Sequence, residues 1–232
     1  MSTAGLLAHR ALPRTDDVRR PSRWLLHGAR PLCAWLVRRR YRVEVLGAEH
    51  VPATGPVVLA ANHVGVIDGP LLAVFSPRPV HAWTKIEMFQ GFLGRFLTAA
   101  GQIPLDRFRV DPAAVRTAVR VLREDGVVGV FPEGARGDGE LDLFHRGAAY
   151  LAHVTGAPVV PVVLFGTREP GGASSSLPRR RGTMVLVFGT PFTVEQVGWP
   201  RTRQQVGETS HRLRSRMLDD LEAARRSTGL SL

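Results

Sequence analysis

The stretch Val57-Val-Leu-Ala-Ala-Asn-His-Val-Gly-Val-Ile-Asp-Gly-Pro70 joins an apolar run to the start of a helical pattern at residues 71–75. The first five residues of this stretch, 57–61, are all apolar. An uninterrupted apolar run of this length predicts a strand that is buried on both faces. A buried strand that leads straight into a helix is typical of a sheet whose two faces are covered by helices. This stretch therefore favours an α/β fold.

The same alternation continues along the rest of the chain. The clearest helix is expected at residues 111–124, where Asp111 can cap the first turn and Pro112 suits the first helical position. A second amphipathic helix is expected at residues 202–226. Runs that predict strands lie at residues 41–45, 57–61, 80–84, 102–105, 127–131, 159–164 and 184–188. We predict a mixed, largely parallel sheet flanked by helices.

The chain divides into three parts by composition. Residues 1–22 are mostly polar and are predicted to form a disordered tail. Residues 23–40 alternate apolar and basic side chains, which predicts an amphipathic helical segment bent at Pro31. Residues 41–232 are expected to form a single domain, because a chain of 232 residues that is 44% hydrophobic can bury a substantial core.

Charge and cysteine content narrow the possible partners and compartments. The chain has 31 Lys and Arg residues against 20 Asp and Glu, which favours an anionic partner. Nucleic acid is not expected, because the basic runs lack the interleaved aromatic side chains that stack on bases. Cys33 is the only cysteine, and no secretory signal or apolar run of membrane-spanning length is visible, so a reducing, cytoplasmic location is expected.

His63 and Asp68 are candidates for a catalytic pair. Residues five apart do not meet within an ideal helix, but they can meet across a turn between a strand and a helix. An aspartate that binds one imidazole nitrogen leaves the other nitrogen free to take a proton from a hydroxyl. Alternatively, Asp68 caps the helix and His63 is a polar residue at the strand end. Spacing alone does not choose between these interpretations.

Two further polar clusters each follow a predicted strand. The first cluster contains Asp106 and Arg107, and the second contains Glu133, Gly134 and Arg136. Ligands of α/β sheets bind at the carboxyl ends of strands, so these clusters are expected to converge on His63. Arginine grips phosphate with a planar fork, and glycine lets the backbone approach a ligand closely. Alternatively, Arg107 and Arg136 are solvated loop charges paired with the nearby acidic residues Asp106, Asp138 and Glu140.

Together these clusters resemble the glycerolphosphate and lysophosphatidate acyltransferase superfamily. The resemblance covers roughly residues 43–163 and rests on four blocks in the order of the family. They read Asn62-His63-x4-Asp68, Gly101-Gln-Ile-Pro-Leu-Asp-Arg107, Phe131-Pro-Glu-Gly-Ala-Arg136 and Val160-Pro-Val162.

The resemblance implies a reaction and a role for each site residue. It implies that a fatty acyl group passes from acyl-CoA or acyl-carrier protein to the free hydroxyl of 1-acylglycerol-3-phosphate in phospholipid synthesis. His63 would be the general base and Asp68 would orient it. No acyl-enzyme, cofactor or metal is implied. The acceptor would be bound by Asn62, Arg107, Glu133, Gly134 and Arg136. The other functions considered are acylation of another lysophospholipid or of glycerol 3-phosphate, and a non-catalytic lipid-binding relative.

Two positions depart from the pattern of the family. Ala135 stands where the family usually has threonine, and His145 follows Phe144 where relatives often carry lysine. Both changes concern the acceptor side of the site, so they leave the identity of the acceptor open. The catalytic pair is unaffected.

The segment at residues 23–40 is expected to hold the protein on the inner face of the cell membrane. Trp24 and Trp35 suit the headgroup region, the leucines of the segment can enter the acyl region, and its arginines can bind anionic lipid. The alternative is a helix packed on the sheet, with both tryptophans in the core.

Overall fold

Residues 13–232 are described by a computed structural model of the chain, and they contain one seven-stranded sheet. Its strands lie in the order β1-β7-β6-β2-β5-β3-β4, and every neighbouring pair is parallel except β6 with β7. The strands are β1 (Arg42–Leu46), β2 (Val57–Ala61), β3 (Val80–Lys85), β4 (Ile103–Leu105), β5 (Val127–Val130), β6 (Val159–Phe165) and β7 (Thr183–Phe188). The predicted mixed, largely parallel sheet is confirmed.

The directions of the strands distinguish the two sides of the sheet at which strands begin and end. Strands β2 to β6 run the same way, so they all end at one edge, which we call the carboxyl edge. Strands β1 and β7 run in the opposite direction and end at the amino edge. The loops that follow β2, β4 and β5 therefore meet at the carboxyl edge, as the sequence predicts for the three polar clusters.

Helices cover both faces of the sheet. On one face, a core forms around Ala118, Leu122 and Leu151, and on the other face a second core forms around Leu59, Leu71 and further buried side chains. The helices are α1 (Trp24–Gly28), α2 (Arg30–Arg40), α3 (Asp68–Phe75), α4 (Gly91–Ala99), α5 (Pro112–Arg123), α6 (Gly147–Thr155) and α7 (Arg203–Thr228). The predicted two-sided arrangement is therefore confirmed.

The two helices expected most clearly from sequence begin close to the predicted residues. Asp111 accepts a hydrogen bond from the backbone N–H of Ala114 at the start of α5, and Pro112 lies in the first turn. Helix α7 begins with a reciprocal capping box between Thr202 and Gln205. Helix α6 has no comparable amphipathic signal, because six of its nine residues are buried.

The N-terminal segment forms two helices, and the break between them lies at Ala29 and not at Pro31. Pro31 lies in the first turn of α2, where a missing N–H costs no intrahelical hydrogen bond. Trp24 is 71% exposed and Trp35 is 53% exposed, so the alternative that places both in the core is wrong. Ala34 and Val37 instead pack against the core. Helix α2 thus packs one side against the core and exposes the other.

Part of the expected disordered tail lies against α5. The backbone carbonyls of Pro13, Arg14 and Thr15 accept hydrogen bonds from Arg123, Arg116 and Arg120, respectively. A polar segment can be ordered in this way because arginines satisfy its carbonyl groups. The prediction for residues 1–12 lies outside the described residues. Across residues 13–232, none of the helices has the length and hydropathy needed to cross a bilayer.

Candidate active site

The turn between β2 and α3 brings His63 and Asp68 together. The Nδ1 atom of His63 lies 2.8 Å from Oδ2 of Asp68. The same oxygen accepts hydrogen bonds from the backbone N–H groups of Val64 and Gly65, at 2.7 and 2.8 Å. Asp68 makes no capping hydrogen bond to α3, so the alternative role as a helix cap is not observed. Its carboxylate holds the turn and the imidazole in one arrangement.

Burial differs between the two members of this pair. The Asp68 side chain is fully buried, whereas the His63 side chain is 20% exposed. A buried carboxylate next to a partly exposed imidazole suits general-base catalysis, since only the base must reach the substrate. The ring of His63 stacks on the ring of Phe131, with 4.3 Å between centroids. This contact further limits rotation of the imidazole.

The loop after β5 holds the backbone of His63 on both sides. Glu133 Oε1 accepts a hydrogen bond from the backbone N–H of His63 at 2.7 Å. The backbone N–H of Gly137 donates to the carbonyl oxygen of His63 at 2.9 Å. Both hydrogen-bonding groups of the His63 peptide backbone are therefore satisfied by one neighbouring loop.

Glu133 itself is almost completely buried, at 6% exposure. Burial raises the pKa of Glu133 to about 7, and the nearby carboxylates of Asp138 and Asp68 act in the same direction. The hydrogen bond from the His63 N–H opposes these effects because it stabilises the charged carboxylate. The resemblance assigned Glu133 to acceptor binding, whereas its observed hydrogen bond is to the backbone of His63.

The two predicted phosphate-binding arginines lie on loops at the carboxyl edge. Arg107 Nη1 donates to the carbonyl oxygen of Gly134 at 2.8 Å, and its Nη2 lies 3.9 Å from a carboxylate oxygen of Glu87. Arg136 Nη1 donates to the carbonyl oxygen of Ser174 at 2.9 Å. The alternative interpretation predicted that these arginines pair with Asp106, Asp138 or Glu140. The observed contacts are with other residues.

Gly134 is required by the geometry of this loop. Its φ angle is +69°, which side chains rarely adopt, and an added Cβ would lie 2.7 Å from the imidazole of His145. The backbone N–H of His145 donates to the carbonyl oxygen of Pro132 at 2.7 Å. The residue that departs from the family pattern at position 145 therefore packs directly on the predicted acceptor loop. Ala135, the other departure, is exposed.

Asn62 is buried between two strands. Its Oδ1 accepts a hydrogen bond from the backbone N–H of Leu164 at 2.7 Å, and its Nδ2 donates to the carbonyl oxygen of Leu164 at 3.2 Å. Asn62 is 2% exposed. It joins the ends of β2 and β6 directly beside His63, and its predicted contact with substrate stays a prediction.

Sequence reasoning missed three residues that shape the site. Phe131, Gly137 and Ser174 contact His63 or Arg136, but none of them does so through a catalytic side-chain group. Phe131 has a usable signal, since it is the aromatic residue at a strand end directly before the Pro-Glu-Gly sequence. The contacts of Gly137 and Ser174 use backbone atoms, which every residue type possesses.

The known proteins that this chain resembles are acyltransferases. A family model described as Acyltransferase matches residues 42–165. The 1-acyl-sn-glycerol-3-phosphate acyltransferase of Bacillus subtilis (strain 168) is 33% identical over 152 residues, which cover 65% of this chain and 73% of that protein. The human 1-acyl-sn-glycerol-3-phosphate acyltransferase alpha is 37% identical over 129 residues, which cover 53% of this chain and 45% of that protein.

A solved structure has the same fold. The crystal structure of the 1-acyl-sn-glycerophosphate (LPA) acyltransferase PlsC from Thermotoga maritima superimposes with a TM-score of 0.61 at 23% sequence identity. The superposition covers 86% of this chain and 78% of the other. The likeness therefore extends well beyond the residues that the family model matches.

Proposed function

Because the chain belongs to the acyltransferase family, we propose that it moves a fatty acyl group from a thioester donor to the free hydroxyl of 1-acylglycerol-3-phosphate. The observation that carries this proposal is the 2.8 Å contact between His63 Nδ1 and buried Asp68, with the imidazole partly exposed at the carboxyl edge. The related proteins of Bacillus subtilis and human carry the name of this activity. Phospholipid synthesis is the process in which such a reaction belongs.

In the proposed mechanism, His63 acts as the general base. An ionised Asp68 can only accept a hydrogen bond, so Nδ1 of His63 carries a proton and Nε2 is free to accept one. Nε2 takes the proton from the acceptor hydroxyl as the hydroxyl oxygen attacks the thioester carbonyl. The carbon–oxygen bond forms and the carbon–sulfur bond breaks, and the imidazolium returns the proton to the leaving thiolate. General-base help of this kind contributes about 10²- to 10⁴-fold.

The acceptor phosphate is proposed to bind between Arg107 and Arg136. Each guanidinium donates one hydrogen bond to a loop carbonyl, and each has further N–H groups with which to bind phosphate oxygens. A bound phosphate would hold the hydroxyl near His63 and convert a bimolecular encounter into an oriented one. Acyl-CoA and acyl-carrier protein both fit as donors, and no cofactor is needed in this scheme.

A matrix of acceptors and donors tests this function. We expect the full chain to consume acyl-CoA or acyl-carrier protein with 1-acylglycerol-3-phosphate, and His63→Ala to be nearly inactive. His211→Ala is a matched control, because His211 is an exposed histidine on α7. A preference for glycerol 3-phosphate or for a lysophospholipid without a free phosphate would move the assignment to that acceptor. Binding of lysophosphatidate without turnover by any donor would identify a non-catalytic relative.

We further propose that α1 and α2 hold the enzyme on the cytoplasmic face of the membrane. Trp24, Leu32, Trp35 and Leu36 are more than half exposed, which gives these helices an outward apolar side. Residues 38–40 follow as three exposed arginines that suit anionic lipid. The double variant Trp35→Ser/Leu36→Ser should bind anionic vesicles more weakly while keeping its melting temperature, since both side chains point away from the core.

An unchanged affinity of this variant for anionic vesicles would contradict the anchor. Substitution is preferable to removal of the segment, because Leu26 is buried and Ala34 and Val37 pack against the core. Loss of vesicle binding after truncation could therefore reflect unfolding.

A further inference from the structure

The loop between β4 and α5 exposes two apolar side chains next to a predicted acceptor residue. Phe108 is 82% exposed and Val110 is 93% exposed, and Arg107 lies directly before them. Exposed apolar side chains that lie close together on one loop cost free energy in water and commonly mark a contact surface.

This loop is held in shape by two aspartates. The backbone N–H of Phe108 donates to Oδ1 of Asp106 at 2.9 Å, and the backbone N–H of Asp106 donates to Oδ2 of Asp111 at 3.0 Å. Asp111 also caps α5. The loop therefore presents Phe108 and Val110 from a braced backbone, which lowers the entropy cost of inserting them into another phase.

Phe108 and Val110 belong to a larger set of exposed apolar side chains at this end of the sheet. Each lies in a segment that follows the carboxyl end of β3, β4, β5 or β6, where His63 also lies. These side chains, 47% to 93% exposed, are Ile86, Phe92, Phe108, Val110, Leu143 and Leu177. The amino edge is different, because the exposed large apolar residues of its strands and loops among the described residues are Leu46 and Trp199.

Basic residues accompany the apolar ones at the carboxyl edge. The exposed arginines of residues 38–40 and 179–181 meet there, since the backbone N–H of Arg181 donates to the carbonyl oxygen of Arg40 at 2.8 Å. Two nearby carboxylates, Glu140 and Asp142, pair with arginines of α7. Arg107 and Arg109, both exposed, flank Phe108 at the other end of the same edge. An edge that carries exposed apolar and basic side chains is complementary to an anionic bilayer.

We propose that the carboxyl edge faces the membrane and that Phe108 and Val110 insert into the lipid surface beside the catalytic crevice. This contact lies outside residues 23–40 and adds to the membrane contact proposed for α1 and α2. It sets the orientation of the enzyme, so that an acceptor can enter the crevice while its acyl chain stays in the bilayer. The identity of that acceptor rests on the proposed function, whereas the lipid contact does not.

Vesicle binding without any acyl donor tests the lipid contact separately from catalysis. Phe108→Ser/Val110→Ser should bind phosphatidylglycerol-containing vesicles about tenfold more weakly, which corresponds to about 1.4 kcal/mol. Trp199→Ser is the matched control, because Trp199 is 63% exposed and follows β7 at the amino edge. Equal binding by the wild type and the double variant, or an equal loss in the control, would overturn the proposal.

A polarity-sensitive dye gives a readout that does not depend on a change in affinity. In a Cys33→Ser background, a dye attached at Phe108→Cys should shift to shorter emission wavelength when vesicles are added. A dye at Trp199→Cys should not shift. The absence of a shift at position 108 would overturn the proposal even if binding falls in the double serine variant.

Activity on two presentations of the acceptor separates a bilayer contact from a contact with one substrate molecule. The double serine variant should lose activity on long-chain lysophosphatidate in vesicles and keep wild-type activity on a monomeric short-chain acceptor. An equal loss on both would show that the loop binds the acceptor itself and would overturn membrane insertion. A wild type that binds vesicles but acylates neither acceptor would refute the proposed function alone.

Discussion

The turn that carries His63 and the loops that carry Arg107 and Arg136 are held in different ways. His63 is held through its backbone N–H by Glu133 and through its backbone carbonyl by Gly137. Its imidazole is held by a hydrogen bond with Asp68 and by stacking on the ring of Phe131. Each arginine donates one hydrogen bond to a backbone carbonyl of a neighbouring loop. His63, the proposed general base, is thus held by several contacts, whereas each of the two proposed phosphate-binding arginines is held by fewer. Changes to the first region should lower kcat, and changes to the second should raise the acceptor KM.

The largest effect is expected from Asp68→Asn. The amide oxygen can replace Oδ2 as the acceptor for His63, Val64 and Gly65, and the amide nitrogen then takes the place of Oδ1, which has no hydrogen-bond partner. The fold should survive, but the charge that stabilises the imidazolium is lost. We expect kcat to fall about 10²- to 10⁴-fold, measured by thioester consumption.

The control for this variant is Asp142→Asn, because the Asp142 side chain is 81% exposed and lies on the loop after β5. It should keep wild-type kcat. Wild-type turnover by a folded Asp68→Asn enzyme would show that the reaction does not depend on the His63–Asp68 pair. The predicted difference between the two regions would then be wrong.

Arg107→Ala and Arg136→Ala should chiefly raise the acceptor KM. Loss of a charged hydrogen-bond partner costs about 1.5–3 kcal/mol, which corresponds to roughly 10- to 150-fold in affinity. The measurement is the acceptor dependence of the rate with a monomeric short-chain acceptor, so that membrane binding does not enter. Arg226→Ala, at an exposed position on α7, is the control. An unchanged KM in both variants would place the phosphate elsewhere.

Substitutions of Glu133 test whether this residue supports His63 or binds the acceptor. Its hydrogen bond to the His63 N–H predicts that Glu133→Ala lowers kcat about tenfold without raising the acceptor KM, because a buried N–H loses its partner. Glu133→Gln keeps an acceptor oxygen and should retain most of the activity. A rise in KM at constant kcat in the alanine variant would instead support the acceptor contact that the resemblance implied.

The last expected effect concerns the pH dependence of stability and not the rate of the reaction. The pKa of Glu133 is raised from 4.5 to about 7 in the fold, so between these pH values the native state binds more protons than the unfolded state. The free energy of unfolding should therefore fall as pH rises from about 4.5 to about 7. A shift of this size corresponds to at most about 3 kcal/mol.

Comparison with Glu133→Gln isolates this contribution, because glutamine does not titrate. Chemical denaturation at several pH values should show the wild type losing stability relative to the variant as pH rises to 7. A constant difference between the two proteins would mean that the carboxylate is ionised at the same pH in both states.

Much of the fold and part of the site follow from short-range patterns. Most strands were predictable because they are apolar runs, β1 was predictable because it alternates apolar and charged residues, and α5 was predictable from Asp111 and Pro112. Helix α6 was not, because burial on nearly all sides removes the amphipathic period that would reveal it. The break at Ala29 was missed because the sequence signal, Pro31, is equally compatible with the first turn of a helix.

The sequence by itself determined which residues follow which strands, and therefore that His63, Arg107 and Arg136 share one edge. It also determined that Asp68 can reach His63 only across a turn. Only the tertiary structure decided what holds these residues: Glu133 on the His63 backbone, Phe131 on its ring, and loop carbonyls on the arginines. The reason is that order along the chain fixes strand ends, whereas contacts between loops join residues far apart in sequence and often use backbone atoms common to all residues.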